Sequence, residues 1–439
     1  MEKSAFLIAG PKSNSGKTII TLGIIKALVN RGLSVQPFKC GPDYIDPMHH
    51  ETVAGLKSYN LDVFMGSEQH VKDVFNKRSQ QADLSIVEGV MGLFDGAQKS
   101  KGSSADISKL LGLPVILVVD AASTAYSIAP LLYGFKHFDK AVNIAGVIFN
   151  KVGSASHYSF LKDAADDVGV TSLGYIPKSE GLDMPSRHLG LMMPQDVDTK
   201  SPIDVAAELI EKHIDLEAII KQFKVEVAPA KPSKEIARSS TVFAIAQDEA
   251  FNFIYPANVD ALQQLGQVKY FSPLHDEVLP EADVIWLPGG YPELFAQPLS
   301  DNKAMRTQLA AFAEKGGAIV AECGGMMYLG ESMNDKTVGP LPMCGVFDYT
   351  TSTQNMKLTL GYRKVLCDEV ELLGHEFHYS KLENDDEAHQ ADYKALSARN
   401  AAVGMKVYRH KAVWSSYMHL YLGEMEKMSA FIEMILKKY

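Results

Sequence analysis

The first half of the chain alternates short, almost wholly apolar runs with longer stretches of helical period. The run AFLIA begins at Ala5, and VQPF from Val35, LSIVE from Leu84, PVILVVD from Pro114 and IAGVIFN from Ile144 repeat the type. Strands apolar on both faces are what a parallel sheet covered by helices on both sides requires. Between the first two runs lies TIITLGIIKALVNRG, with helical periodicity and with Gly32 placed as a helix stop. The alternation predicts a doubly wound, mainly parallel α/β domain.

The pattern breaks at VEVAPAKPSKEIARSS, from Val225 to Ser240, which carries two prolines and no periodic apolar face. It reads as a linker. Strand-like runs then restart at TVFAIAQ from Thr241, DVIWLPGG from Asp283 and GAIVAECGG from Gly317. The expected organisation is a first α/β domain over 1–224, a linker over 225–240 and a second α/β domain over 241–439.

Composition narrows the classes of function. A chain of 439 residues with 46% hydrophobic and 22% charged residues is an ordinary globular chain of two or three domains. Its 43 Lys and Arg against 53 Asp and Glu give a net charge of −10, which argues against a nucleic-acid surface but not against local phosphate binding. No apolar run approaches the roughly 20 residues that span a bilayer, and the N-terminus runs straight into a loop motif rather than a signal-peptide cleavage site. Cys40, Cys323, Cys344 and Cys367 lack CxxC spacing, so neither a disulfide framework nor a zinc knuckle is expected. The protein reads as cytoplasmic, without a membrane or nucleic-acid partner.

Chemistry concentrates in three places. Gly10-Pro11-Lys12-Ser13-Asn14-Ser15-Gly16-Lys17-Thr18 follows the first strand and opens the first helix. Five residues separate its glycines where the ordinary phosphate loop has four, but the physics is unchanged. Backbone N–H groups and a helix N-terminus face one concavity, Lys17 can reach the phosphates and Thr18 can ligate Mg²⁺. Lys12 reads as an exposed loop lysine. After the second strand come Lys39, Cys40, Asp43 and Asp46, and after the LSIVE strand come Glu88 and Asp95. The C-terminal ends of neighbouring strands share one crevice, so these carboxylates are expected beside the phosphate loop, where Glu88 and Asp95 could hold Mg²⁺ together with Thr18. Cys40 reads as a small core residue.

The third place is Ala321-Glu322-Cys323-Gly324-Gly325, a strand running into a cysteine and a helical start. Such a bend is expected to expose the sulfur, and the helix N-terminus to lower the thiol pKa. The glycines of Leu287-Pro288-Gly289-Gly290 can supply an oxyanion hole. His375, His378 and His419 are candidate bases, with His419 at a late strand end in the expected position.

At these residues the chain resembles the cobyrinic acid a,c-diamide synthase family of glutamine-dependent corrinoid amidoligases. The matching stretches are GPKSNSGKT, PFKCGPDYIDPMHH, VEGVMGLFDG, VIFNKVGSASHY, MPSRHLGL around Arg187, LPGGYPE, AECGGMMYL, GHEFHYS and SSYMHLYLG. The first half is similar to dethiobiotin synthetase, a P-loop NTPase-type fold with the same five-residue interval, and the second to class I glutamine amidotransferases. The resemblance implies ATP, L-glutamine and Mg²⁺, a tetrapyrrole carboxylate substrate and room for a homodimer. It implies that Gly16, Lys17, Thr18 and Lys39 serve the nucleotide and Asn150 the adenine. Asp43 and Glu88 are then metal or catalytic carboxylates, Asp46 and Asp95 lie near the substrate carboxylate, Cys323 is the glutaminase nucleophile and His419 its base. Ordinary class I members carry a glutamate two residues after that histidine; here Tyr421 stands there, so a Cys–His dyad is expected. Competing readings are the same amidation on nickel-sirohydrochlorin and, from another class, a partitioning-type P-loop ATPase. The latter is suggested by Lys12 but has no use for Cys323 and His419.

Overall fold

The computed structural model describes the chain apart from residues 185, 188–189, 192, 195–199, 230–238, 336–338, 355–356, 368–369 and 438–439. Much of the expected linker and part of the MPSRHLGL stretch therefore lie outside the described residues. The chain divides into two compact units, Met1–Pro232 and Ser233–Tyr439.

The first unit is built on β1 (Glu2–Ala9), β2 (Val35–Cys40), β3 (Tyr59–Leu61), β4 (Leu84–Glu88), β5 (Val115–Asp120), β6 (Ile144–Val152) and β7 (Ser172–Pro177). They lie in the order β3-β2-β4-β1-β5-β6-β7 and run parallel. The strand Lys224–Glu226 pairs antiparallel with the start of β1, so the sheet takes in the first residues of the segment whose composition suggested a linker. Helix α1 (Lys17–Asn30) buries Ile20, Leu22, Ile24, Ile25 and Leu28. It ends as the sequence predicts: Gly32 takes φ 82°, its N–H bonds the Val29 carbonyl and the Leu33 N–H bonds that of Leu28. The chain order switches direction at β1, which opens a crevice at the C-terminal ends of β1, β2 and β4. Strand register fixes what stands there, with Lys39 directly beside Glu88 and Glu88 beside Ile8, just before the phosphate loop.

The second unit centres on a six-stranded sheet in the order Gln267–Phe271, Val242–Ala246, Val284–Leu287, Ala318–Glu322, Val413–Ser416, Val407–His410. All neighbours are parallel except the last pair. Every apolar run singled out above forms a strand. The strands between Ser332 and Ser397, which together with His419–Leu420 build two further four-stranded sheets, carry no comparable run. One of these sheets carries the three candidate histidines. After Ser416 the chain leaves the central sheet, and His419–Leu420 pairs antiparallel with Val370–His378, placing His375 opposite His419. Among the described residues no helix is long and apolar enough to cross a membrane.

Candidate active sites

In the first unit the phosphate loop is closed by its own backbone. Gly16 caps α1 at φ 91°, and Lys17 and Ser15 both donate to the Lys12 carbonyl, at 3.1 and 3.2 Å. Lys12 thus anchors the loop through its main chain, while its side chain is exposed, as expected. Asn150, at the end of β6, donates to the Ser15 carbonyl at 3.1 Å, and a Cβ on Gly16 would overlap its amide nitrogen. The structure therefore sets Asn150 against the loop that leads into α1. Burial, with the Lys39 charge, lowers the Lys17 pKa below that of a free lysine, against the pull of Glu88, Asp46 and Asp95. An arriving phosphate would relieve that imbalance.

Glu88 is the hub of the crevice. It is 0% exposed and receives Thr18 Oγ1 at 2.6 Å and Lys39 Nζ at 3.0 Å on Oε1, while Oε2 meets His50 Nε2 at 2.7 Å. Lys39 also reaches Asp46 at 2.5 Å and lies 3.7 Å from Asp43; Thr18 lies 3.4 Å from Asp46 Oδ2. Asp43 stands two residues before helix α2 (Ile45–Ala54), its Oδ1 accepting the Ile45 and Asp46 N–H groups. Burial alone would depress Lys39, but Asp46, Glu88 and Asp43 hold its pKa well above the ordinary lysine range. Burial would likewise raise Glu88, yet Lys39, His50 and Thr18 keep it well below the usual carboxylate range. Asp43 is pushed up to about 7, mainly by burial, with the Asp46 charge adding.

Thr18, Asp43, Asp46, Glu88, Lys17 and Lys39 are thus brought together. Asp95 is held in its own turn, accepting the Gly92 N–H at 2.9 Å, and reaches this group through its charge on Lys17. The hard oxygens of Thr18 and Glu88 converge, and Lys39 links Glu88 to Asp43, a donor set of the kind that Mg²⁺ takes when phosphate and water complete it. No cluster of three or more His, Cys, Asp and Glu side chains among the described residues makes a metal site of its own. His50 was not singled out from the sequence; the adjacent pair His49-His50 in the quoted PMHH stretch was its only local signal. Cys40 is the buried core residue expected, with burial pushing its thiol up to about 12.

In the second unit Cys323 sits at φ 46°, ψ −101°, between the strand Ala318–Glu322 and the helix Gly324–Leu329. The sharp bend is as expected, and its N–H is tied to the Ser416 carbonyl on the neighbouring strand at 2.8 Å. The glycines permit it, since a Cβ on Gly325 would overlap the Leu287 carbonyl and one on Gly324 would lie 3.1 Å from the Gly290 nitrogen. The Gly289 carbonyl accepts the Asn252 and Phe253 N–H groups, so the planar peptide turns the Gly290 N–H the opposite way. A Cβ on Gly289 would overlap the His419 ring, so the Pro288-Gly289-Gly290 loop touches both the Cys323 turn and the histidine.

Two expectations fail here. Cys323 is only 4% exposed, and its thiol pKa is raised, not lowered. Burial is the main cause, and the Glu293 and Glu376 charges add to it; the Gly324 N–H pulls the other way but does not win. His419 is 1% exposed, and burial, with His375 and His378 nearby, drives its pKa well below the ordinary histidine value. The resting pair is thiol and neutral imidazole. Beside it lies a cavity of about 340 Å³ lined by Met326, Arg363, Glu376, His378, Ser380 and Tyr417. Arg363 pairs with Glu376, His378 meets the other Glu376 oxygen at 3.3 Å, and the His378 ring stacks on Tyr417 with centroids 3.8 Å apart. Arg363, Glu376 and Tyr417 were not identified from the sequence.

Known proteins with these features give a consistent answer. Residues 6–191 match the CobQ/CobB/MinD/ParA nucleotide-binding domain, and residues 242–427 match the CobB/CobQ-like glutamine amidotransferase domain. The cobyrinate a,c-diamide synthase of Salmonella typhimurium is 38% identical over 97% of this chain and 96% of its own length. That of Fusobacterium nucleatum is 40% identical over 95% of this chain and 97% of its own. The hydrogenobyrinate a,c-diamide synthase of Brucella abortus is 38% identical over 94% and 98%, respectively.

The raised thiol pKa has a direct consequence. Alkylation of Cys323 by iodoacetamide in the resting protein should be at least about tenfold slower at pH 7.5 than that of free cysteine, whose pKa is about 8.5. The rate should climb only as the pH passes well above that value, because the thiolate is the reacting species. Peptide mass mapping assigns the modified cysteine. Rapid labelling of Cys323 at neutral pH would show that the helix N-terminus, not burial, sets its ionisation.

Proposed function

Because the chain belongs to the cobyrinate a,c-diamide synthase family, we propose that it amidates the a and c side-chain carboxylates of a cobyrinic-type corrinoid, with ATP and glutamine as co-substrates. The observation that carries the reading is one chain with both machineries, a phosphate loop joined to Glu88 and a nucleophile turn joined to His419. A partitioning-type ATPase would use only the first.

In the second unit Cys323 Sγ attacks the glutamine carboxamide carbon while His419 takes the thiol proton and returns it to the departing nitrogen. Ammonia leaves and a glutamyl thioester remains, which water hydrolyses to glutamate and free thiol. The Gly290 N–H is the donor for the tetrahedral oxyanion, with Gly289 shaping the loop that presents it. In the first unit a corrinoid carboxylate attacks the γ-phosphorus of ATP, giving an acyl phosphate and ADP; ammonia then displaces phosphate and forms the amide. Phosphorylation removes the charge that repels a nucleophile and supplies a leaving group. Gly16 and Lys17 hold the phosphates and Lys39 balances the carboxylates, while Asn150 fixes the loop and meets the adenine. Thr18, Glu88 and Asp43 would hold Mg²⁺, which screens phosphate charge when bound. Asp46 and Asp95 orient the acceptor carboxylate. The reaction belongs to the cytoplasm.

Lys17→Ala and Glu88→Gln should each lower amidation on the order of 100-fold or more, with glutamine or with ammonium as the nitrogen source. Near-normal ammonia-dependent turnover in either variant would refute the ATP site. Asp46→Asn and Asp95→Asn should impair corrinoid use more than ATP binding, read by isothermal titration with a non-hydrolysable ATP analogue beside steady-state kinetics. Wild-type kinetics in both would make the two loops scaffolding. Cys323→Ser should abolish glutamine-dependent product and keep ammonia-dependent product at raised pH; equal loss with both sources in a folded variant would overturn the division of labour. Running wild type on cobyrinic acid, hydrogenobyrinic acid and nickel-sirohydrochlorin identifies the macrocycle, and turnover of the last alone would replace the corrinoid reading.

A further inference from the structure

The three histidines near Cys323 are not equivalent. His419 abuts the Pro288-Gly289-Gly290 loop, and His378 belongs to the cavity wall through Glu376, Tyr417 and the Ser380 carbonyl. His375 does neither. It lies opposite His419 in the antiparallel ladder, and the two imidazole rings stack with centroids 5.0 Å apart and planes 19° from parallel.

The ladder is tighter there than side chains normally allow. A Cβ on Gly374 would overlap the His419 carbonyl oxygen and would lie 3.1 Å from the Met418 methyl group, so glycine lets the two strands close up at this pair. His375 is also held from behind. The Tyr255 hydroxyl meets His375 Nδ1 at 3.0 Å, and the Tyr255 ring packs edge-on to Tyr421, two residues beyond His419, with centroids 5.0 Å apart. Tyr255, His375, His419 and Tyr421 are all buried, so the stack excludes water and each ring limits the rotation of the next.

We propose that His375 is a positioning residue for the glutaminase reaction, its ring face fixing the plane in which His419 takes the Cys323 proton, with Tyr255 fixing His375 in turn. This rests on the reading of Cys323 and His419 given above. A general base must meet its proton along a defined direction, and a misplacement of about 1 Å costs on the order of 100-fold in rate. A stacked ring restricts that direction without a charged partner. Burial pushes His375 down to about 3, so at neutral pH it adds no positive charge against the imidazolium that forms on His419 during attack.

The test compares His375→Leu, His375→Phe and Tyr255→Phe with wild type and Cys323→Ser, each assayed with glutamine and with ammonium. His375→Leu removes the ring at similar volume and should lower the glutamine-dependent kcat by about 100-fold, with the KM for glutamine within about threefold and ammonia-dependent turnover unchanged. His375→Phe restores a ring and should recover kcat to within about tenfold of wild type. Tyr255→Phe should lower kcat at least about threefold by freeing the rotation of His375, and it decides the matter if His375→Leu does not fold. A glutamine kcat within threefold of wild type in folded His375→Leu would overturn the proposal. So would a change confined to KM, or an equal loss with both nitrogen sources. Retention of glutamine-dependent turnover in Cys323→Ser would instead refute the glutaminase reading itself.

Discussion

A carboxylate with no access to water is the constraint around which the first unit is arranged. An ion taken out of solvent must be met by opposite charge and by hydrogen bonds on its remaining lone pairs, or it neutralises. Glu88 is met by Lys39 from the neighbouring strand, Thr18 from the first turn of α1 and His50 from α2. Three separate segments are thereby tied to one side chain at the end of β4. Lys39 in turn remains charged only because Asp46, Glu88 and Asp43 surround it. Removing any member leaves another buried charge without its partner, so the site is held together by mutual compensation rather than by one strong pair.

The phosphate loop, with its extra residue, is held by its own backbone and by strand β6. Its shape is set by bonds to the Lys12 carbonyl from inside and by Asn150 from β6. The loop needs only to bring Gly16 to the start of α1 in a left-handed conformation, which glycine adopts without penalty.

Much of this was legible in the sequence because it is local. The apolar runs marked the central strands, Gly32 marked the end of α1, and the glycines around Lys17 and Cys323 announced sharp turns. Contacts between segments remote in the chain were not legible. His50 meets Glu88 across 38 residues, and Tyr255 meets His375 across 120. No periodicity carries such information, since it resides in sheet order and register. The ionisation of Cys323 failed for a related reason. The helix N-terminus that lowers a thiol pKa is local and visible, whereas the burial that raises it, with the Glu293 and Glu376 charges, is assembled by the whole unit.

The two units therefore hold the groups proposed to react in different electrostatic states. The first holds formal charges in its crevice, with Lys39 and Glu88 both strongly biased towards their ionised forms. The second keeps its cysteine and two of its histidines uncharged, beside the Arg363–Glu376 ion pair of the cavity wall: burial raises Cys323 and lowers His375 and His419. Each state suits the ligand proposed for it. Phosphates and carboxylates arrive as anions and exchange water for fixed cations, so a charged crevice can bind them in a preorganised field. A carboxamide arrives neutral, and a standing thiolate–imidazolium pair would have to be maintained in a buried pocket at a desolvation cost with nothing to attack. Forming that pair only as the proton moves from Cys323 to His419 confines the cost to the reacting complex. Geometry must then do what standing charge does elsewhere, and a base boxed in by Gly289 and His375 is where that geometry is held.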